Sequence, residues 1–137
     1  MGRVLALDWG RVRIGVALSD PTGSLASPYR TLSARPRETF LRELAGILRE
    51  EEVELVLIGL PLHMNGSEGE SAEAARALAA EVETLGVPVR LWDERLSSFT
   101  AESNLREAGR KPSRDKARVD RVAAAILLQE FLDSGES

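Results

Sequence analysis

Residues 3–20, Arg3-Val4-Leu5-Ala6-Leu7-Asp8-Trp9-Gly10-Arg11-Val12-Arg13-Ile14-Gly15-Val16-Ala17-Leu18-Ser19-Asp20, read as two strands joined by a short turn. Val4 to Leu7 is an unbroken apolar run of strand length. Ile14 to Leu18 is a second, and Trp9 to Arg13 lies between them. The pair predicts a hairpin at the start of the chain. Asp20-Pro21-Thr22-Gly23 has turn chemistry, and Leu25 to Leu32 predicts a third, less regular strand interrupted by Pro28.

Beyond Pro36 the pattern changes. Proline suits a first helical turn, and Phe40, Leu41, Leu44, Ala45, Ile47 and Leu48 then recur at helical spacing. Val53 to Gly59 predicts a strand, followed by the loop Leu60 to Ser67. The Ala-rich segment 71–85 predicts a helix that Gly86 stops. Residues 87–92 give the next strand, and Ser97 or Ser98 caps a short helix running to Gly109. A last helix runs from about Arg118 to Leu132, before a polar tail. Three leading strands followed by alternating helices and strands imply an α/β fold, with a mixed sheet and helices on both faces. At 137 residues, residues 1–137 are expected to form one domain around one core.

Composition narrows the chemistry. With 43% hydrophobic, 29% charged and 4% aromatic residues, the core has to be built from Leu, Val, Ile and Ala. No run approaches the ~18 apolar residues of a membrane span, and no signal-peptide profile opens the chain, so a cytoplasmic protein without membrane contact is expected. The absence of Cys excludes disulfides, thiol nucleophiles and thiolate zinc sites. A single histidine, His63, argues against a His-based triad or a multi-His metal site. A metal would have to be held by oxygen, which favours Mg²⁺ or Mn²⁺.

Carboxylates stand at the edges of the most apolar segments. Asp8 ends the first strand, Asp93-Glu94 end the strand Val87 to Trp92, and Asp120 opens the apolar run from Val122 to Leu128. Burying an ionised carboxylate costs several kcal/mol unless a cation or strong donors compensate it, so convergence on a shared cation is expected. Two divalent ions roughly 3.5–4 Å apart could activate a water and stabilise the leaving oxygen of a phosphodiester. Taken singly, each acid has an ordinary reading as well. Asp8 could be a turn residue, Arg95 could bridge a neighbouring acid, and Asp120 could be a first-turn acid favoured by the helix dipole. Gly15 would let a substrate approach the returning strand.

The formal net charge is −4, yet 16 of the 18 basic residues are arginines, whose planar fork suits phosphate. From Arg106 to Arg121 seven bases stand against three acids, a local balance of +4. Arg110, Lys111 and Arg114 are the candidate phosphate-binding residues there, against the alternative of a solvated charged loop. Asn65 and Ser67 lie in a strand-to-helix loop, where ligands of α/β sheets commonly sit. Ser97 and Ser98 are helix caps first and phosphate ligands second. Trp9 and Trp92 each adjoin a candidate acid, and a core position is favoured over base stacking for both.

Four motifs in order carry a resemblance: Ala6-Leu7-Asp8-Trp9-Gly10 with Ile14-Gly15-Val16-Ala17, Gly59 to Ser67, Asp93-Glu94-Arg95-Leu96-Ser97-Ser98, and Val119-Asp120-Arg121-Val122-Ala123-Ala124. Over nearly the whole chain the sequence resembles the YqgF (RuvX) family of bacterial Holliday-junction resolvases and pre-16S ribosomal RNA nucleases. The resemblance implies a ribonuclease H-like fold with a five-stranded mixed sheet, and a metal-dependent endonuclease. It implies catalytic acids at Asp8, Glu94 and Asp120, with Asp93 as a further metal-ligand candidate, and Mg²⁺ or Mn²⁺ as cofactor. The expected substrate is precursor rRNA or branched DNA, with the ribosomal subunit and a second copy of the chain as further partners. Arg11, Arg13 and Arg95 join the residues expected to bind nucleic acid, although Arg11 and Arg13 stand where the family pattern has small or polar residues and lysine. Two rivals remain at this point. One is a non-catalytic RNA-binding factor in ribosome maturation. The other is an actin-like ATPase phosphate hairpin, against which the length speaks, since that fold closes two lobes around its nucleotide.

Overall fold

In the computed structural model, which describes residues 2–60, 69–93 and 116–135, the opening stretch forms the centre of the molecule. Strand β1 (Arg3–Asp8) pairs antiparallel with β2 (Arg13–Ser19), with Leu5 opposite Leu18 and Asp8 opposite Gly15. β3 (Ala26–Ser33) pairs antiparallel with β2 and forms one edge of the sheet. Pro28 is tolerated there because an edge strand has one side that needs no donor, and the register shifts beside it, between Val16 and Ala17. Helix α1 (Arg37–Glu50) leads to β4 (Val53–Leu60), which lies parallel to β1 on its other side. Helix α2 (Glu70–Glu83) then leads to β5 (Val89–Asp93), parallel to β4. The sheet order is β3-β2-β1-β4-β5, five strands in a mixed arrangement as the sequence pattern implied. β5 starts two residues later than the apolar pattern suggests. Pro88 has no N–H to donate, so its carbonyl accepts from the Val56 amide and regular pairing begins after it.

The two faces of the sheet are built differently. Leu5, Leu7, Ile14, Val16, Val56 and Ile58 point to one side, where Phe40, Leu44 and Ile47 of α1 and Ala72, Leu78 and Val82 of α2 cover them. Burying each of these larger side chains contributes about 1.5–3 kcal/mol. The other side is paved with smaller groups, Ala6 and Ala17, together with Leu57 and Trp92. A single helix among the described residues covers it, α3 (Lys116–Asp133), through Ala124, Ala125, Leu127, Leu128 and Phe131. Small residues on both partners let helix and sheet backbones come close. Trp92 meets Phe131 edge to face, centroids 5.5 Å apart at 87°.

Polar ties fix α3 at both ends. The Thr31 hydroxyl donates to the Ala117 carbonyl at 2.5 Å and accepts from Arg121 Nη1 at 3.4 Å. Near the C-terminus, Gln129 Oε1 accepts from the Ala26 amide at 2.8 Å, while its Nε2 donates to the Ser24 carbonyl at 3.0 Å. The turn that Gln129 grips is organised by Asp20, whose carboxylate accepts from the Thr22 hydroxyl and from the amides of Ser24 and Leu25.

Between these ties the α3 backbone rests on β2. A Cβ built on Gly15 would lie 2.0 Å from the Asp120 carbonyl oxygen and 2.4 Å from its carbon, distances that real side chains do not tolerate. Gly15→Ala is therefore expected to lift the start of α3, costing about 1–3 kcal/mol as an overpacked contact, read as a lower urea midpoint. A midpoint equal to wild type would mean that the helix is not seated on this glycine.

Asp20 carries a pH signature. The Thr22 hydroxyl, first, and then the Leu25 and Ser24 amides hold its carboxyl down from the usual 3.8 to about 2. A depressed carboxylate pKa stabilises the fold above the unfolded value, and that stabilisation is lost as pH falls through the folded value. Asp20→Asn should melt below wild type at neutral pH, with the gap closing between about pH 4 and pH 2. A gap that stays constant with pH would exclude this role.

Candidate active site at the end of the central strand

The site is assembled where β1 ends. Along β1, Leu5 and Leu7 face α1 and α2 while Ala6 faces α3, so alternation turns Asp8 to the α3 face. Its cross-strand partner Gly15 faces the same way, and directly opposed residues of such a pair have Cα atoms ~4.5–5.5 Å apart. The backbone of Asp120 sits on Gly15. Strand register and helix packing thus place Asp8 and the backbone of Asp120 beside the same glycine. Gly15 was expected to let a substrate approach; the backbone of α3 occupies the space beside it.

Asp120 is not a first-turn acid. α3 is described from Lys116, so Asp120 is at least one full turn inside it and the helix dipole is not what holds its charge. What holds it is Arg13, whose Nε donates to Asp120 Oδ2 at 3.0 Å, with the two side chains 34% and 27% exposed. Arg13 was expected to meet nucleic acid. Its Nε is committed to the second acid, a charge-assisted bond that fixes the carboxylate's direction. Arg11, two residues earlier, is largely exposed and reaches Glu70 at 3.5 Å, beyond hydrogen-bonding distance.

Asp93 falls on the other face. Trp92 packs under α3 and Leu91 against the α1 and α2 side, so Asp93, next after Trp92, is turned away from Asp8 and Asp120. Of the remaining expected site residues, Glu94, Arg95, Ser97 and Ser98 lie outside the described residues. So do Asn65 and Ser67, and Arg110, Lys111 and Arg114. Among the described residues no three His, Asp or Glu side chains cluster as a metal site. The described donors at the site are carboxylate oxygens only, a set that fits a hard divalent cation and no softer metal.

Thr31 was not singled out from the sequence. Its register position opposite Gly15, and its hold on the first described turn of α3, make it the support on which Asp120 is aimed. The signal was the β-branched polar residue in an otherwise irregular edge strand, which has no meaning until the helix is placed over it.

Comparison with known proteins places the chain by sequence and by fold. A relative from Anaeromyxobacter sp. (strain Fw109-5), whose provisional name is pre-16S rRNA nuclease, is 52% identical over 132 residues, 96% of each chain. One from Roseiflexus sp. (strain RS-1), with the same provisional name, is 46% identical over 134 residues, 97% of this chain and 95% of that one. Among solved structures, T. thermophilus RuvC in complex with a Holliday junction substrate superposes with a TM-score of 0.60 at 15% identity, covering 100% of this chain and 98% of that chain. The fold is therefore the ribonuclease H-like one. The sequence model of the RuvX family, described as Holliday junction resolvase, matches residues 2–134. With that match and relatives about half identical over nearly their whole length, the chain belongs to the RuvX family.

Proposed function

We propose that this chain is a divalent-metal-dependent endonuclease that hydrolyses phosphodiester bonds in structured nucleic acid. Its substrates are the precursor ends of 16S rRNA, four-way DNA junctions, or both, as its relatives' names and the family description suggest. One observation carries the reading: the backbone of Asp120 rests on the glycine that pairs with Asp8, so a close helix-to-sheet contact puts both acids at the same strand end.

Asp8 and Asp120 would hold Mg²⁺ or Mn²⁺, with Glu94 as the third carboxylate. A divalent ion held by such carboxylates supplies activation of a water and charge stabilisation at the leaving oxygen. Arg13 keeps the Asp120 carboxylate directed and offsets its repulsion of Asp8. Arg110, Lys111 and Arg114, with Asn65 and Ser67, position the phosphate backbone of the substrate. The domain works in the cytoplasm, where both substrates occur. A homodimer would suit the two-fold character of a junction, and association with the ribosomal subunit would suit precursor rRNA.

The first test is direct. Asp8→Asn and Asp120→Asn should stay folded and each lose at least about 100-fold in turnover with Mn²⁺, because a displaced ligand misplaces the reacting groups. Wild-type cleavage of both a four-way junction and a precursor rRNA by the two variants would overturn the assignment and favour an RNA-binding factor without catalysis.

A second test separates the adjacent acids. The face on which Asp93 lies supports Glu94 as the ligand. Glu94→Gln should be inactive with its melting temperature nearly unchanged, whereas Asp93→Asn should keep measurable activity. The reverse pattern at saturating Mn²⁺ would transfer the role to Asp93.

A further inference from the structure

Immediately after Asp8 the chain crosses the sheet edge. Trp9 alternates to the face opposite Asp8 and packs, half-buried, against the core under α1 and α2. Beside it opens a concavity of about 250 Å³, lined by Trp9, Gly10 and Arg11 from the β1–β2 turn, Ala34 and Arg35 from the link after β3, and Arg37 at the start of α1. Three arginines from two segments therefore line one hollow, which begins at the residue after Asp8.

Their charges are only loosely answered. Arg11 faces Glu70 at 3.5 Å with both side chains mostly in solvent, and Arg37 Nε faces Glu81 at 3.7 Å. Both distances exceed a hydrogen bond. Arg35 is exposed and has no acidic partner among the described residues. Arg37 Nη1 is buried and has no hydrogen-bond partner among the described residues, so its guanidinium is not satisfied by the fold alone. Three arginines and an aromatic side chain around one hollow together match a phosphate with an attached base. The hollow is smaller than the ~300–1,000 Å³ of sites that enclose a free small molecule, so one nucleotide of a polymer suits it better than a free nucleotide.

We propose that this hollow is a second nucleic-acid subsite, which takes one nucleotide of a single-stranded segment: its backbone phosphate between Arg11, Arg35 and Arg37, its base on Trp9. The inference rests on the nuclease reading and deepens it. The strand would pass over the β1–β2 turn, one phosphate at the acids on the α3 face and a neighbouring nucleotide held on the other.

The test uses the full chain in EDTA, so that binding is read without cleavage. A short fluorescein-labelled single-stranded RNA is titrated by anisotropy at several salt concentrations. Arg35→Gln/Arg37→Gln should raise Kd roughly ten-fold or more at low salt, and lower the slope of log affinity against log salt by roughly 0.7 for each phosphate no longer neutralised. Trp9→Leu should weaken binding roughly 5- to 100-fold with the slope kept. Arg35→Lys/Arg37→Lys should restore the slope. Arg42→Gln/Arg49→Gln, which removes two exposed charges of α1 outside the hollow, should change little. If the Arg37 variants fail to fold, Arg35→Gln alone carries the test, since that side chain is exposed. Unchanged affinity and slope in the pocket variant, an equal weakening in the Arg42/Arg49 control, or no binding by wild type would each overturn the subsite. Cleavage assays on the same proteins keep the two claims apart. Wild-type binding without cleavage in Mg²⁺ or Mn²⁺ overturns the nuclease and leaves the subsite. Cleavage by the pocket variant at wild-type KM does the opposite.

Discussion

The close approach of α3 to β2 at Gly15 is the constraint on which the candidate site depends. A helix normally stands off a sheet by the thickness of the side chains between them. Here the sheet offers Ala6, Gly15 and Ala17 and the helix offers Ala124 and Ala125, so the backbone of Asp120 comes within contact of a strand glycine. The opposite face, filled with Leu5, Leu7, Ile14, Val16 and Ile58, follows the ordinary rule and supplies most of the burial. One side of the sheet holds the fold together while the other carries the candidate site residues Asp8 and Asp120. The ties from Thr31 and Gln129 at the two ends of α3 keep the thin side from sliding.

Bringing two carboxylates to one strand end raises an electrostatic problem that the fold answers locally. Arg13 lies on the same face of β2 as Gly15, two residues away, and its Nε bonds to Asp120 Oδ2. One positive charge beside Asp120 lowers the repulsion between acids placed near each other. Across the β1–β2 turn the sign reverses: Arg11, Arg35 and Arg37 line the other face. The same turn thus separates the face that carries Asp8 and Asp120 from one lined by arginines.

Likeness in fold to RuvC at 15% identity shows how loosely sequence constrains this architecture. A central strand buried on both faces, a hairpin beginning the sheet and helices crossing it can be written in many sequences, because apolar pattern and turn chemistry suffice. The glycine beneath α3 has no such latitude. Gly15 can be replaced by nothing larger without moving the helix that carries Asp120.

Much of the architecture was legible from local chemistry. Val4 to Leu7 had to be a strand buried on both faces because it contains no polar alternation, and Leu5, Ala6 and Leu7 are fully buried. Phe40, Leu44 and Ile47 announced the face of α1 by their spacing. Asp8 and Asp120 stood out because charged groups beside such apolar segments need a partner. What the sequence could not contain was distance between segments remote in the chain. That Gly15 receives a helix, that Arg13 serves Asp120, that Asp93 turns away while Asp8 turns inward, and that Arg35 and Arg37 share a hollow with Trp9 are all consequences of register and packing. The sequence by itself determined the strands, the helices and the acids, because these follow from short-range pattern and the cost of burying charge. Only the tertiary structure decided which of those groups meet, because a pairing register one residue away would send every one of them to the opposite face of the sheet.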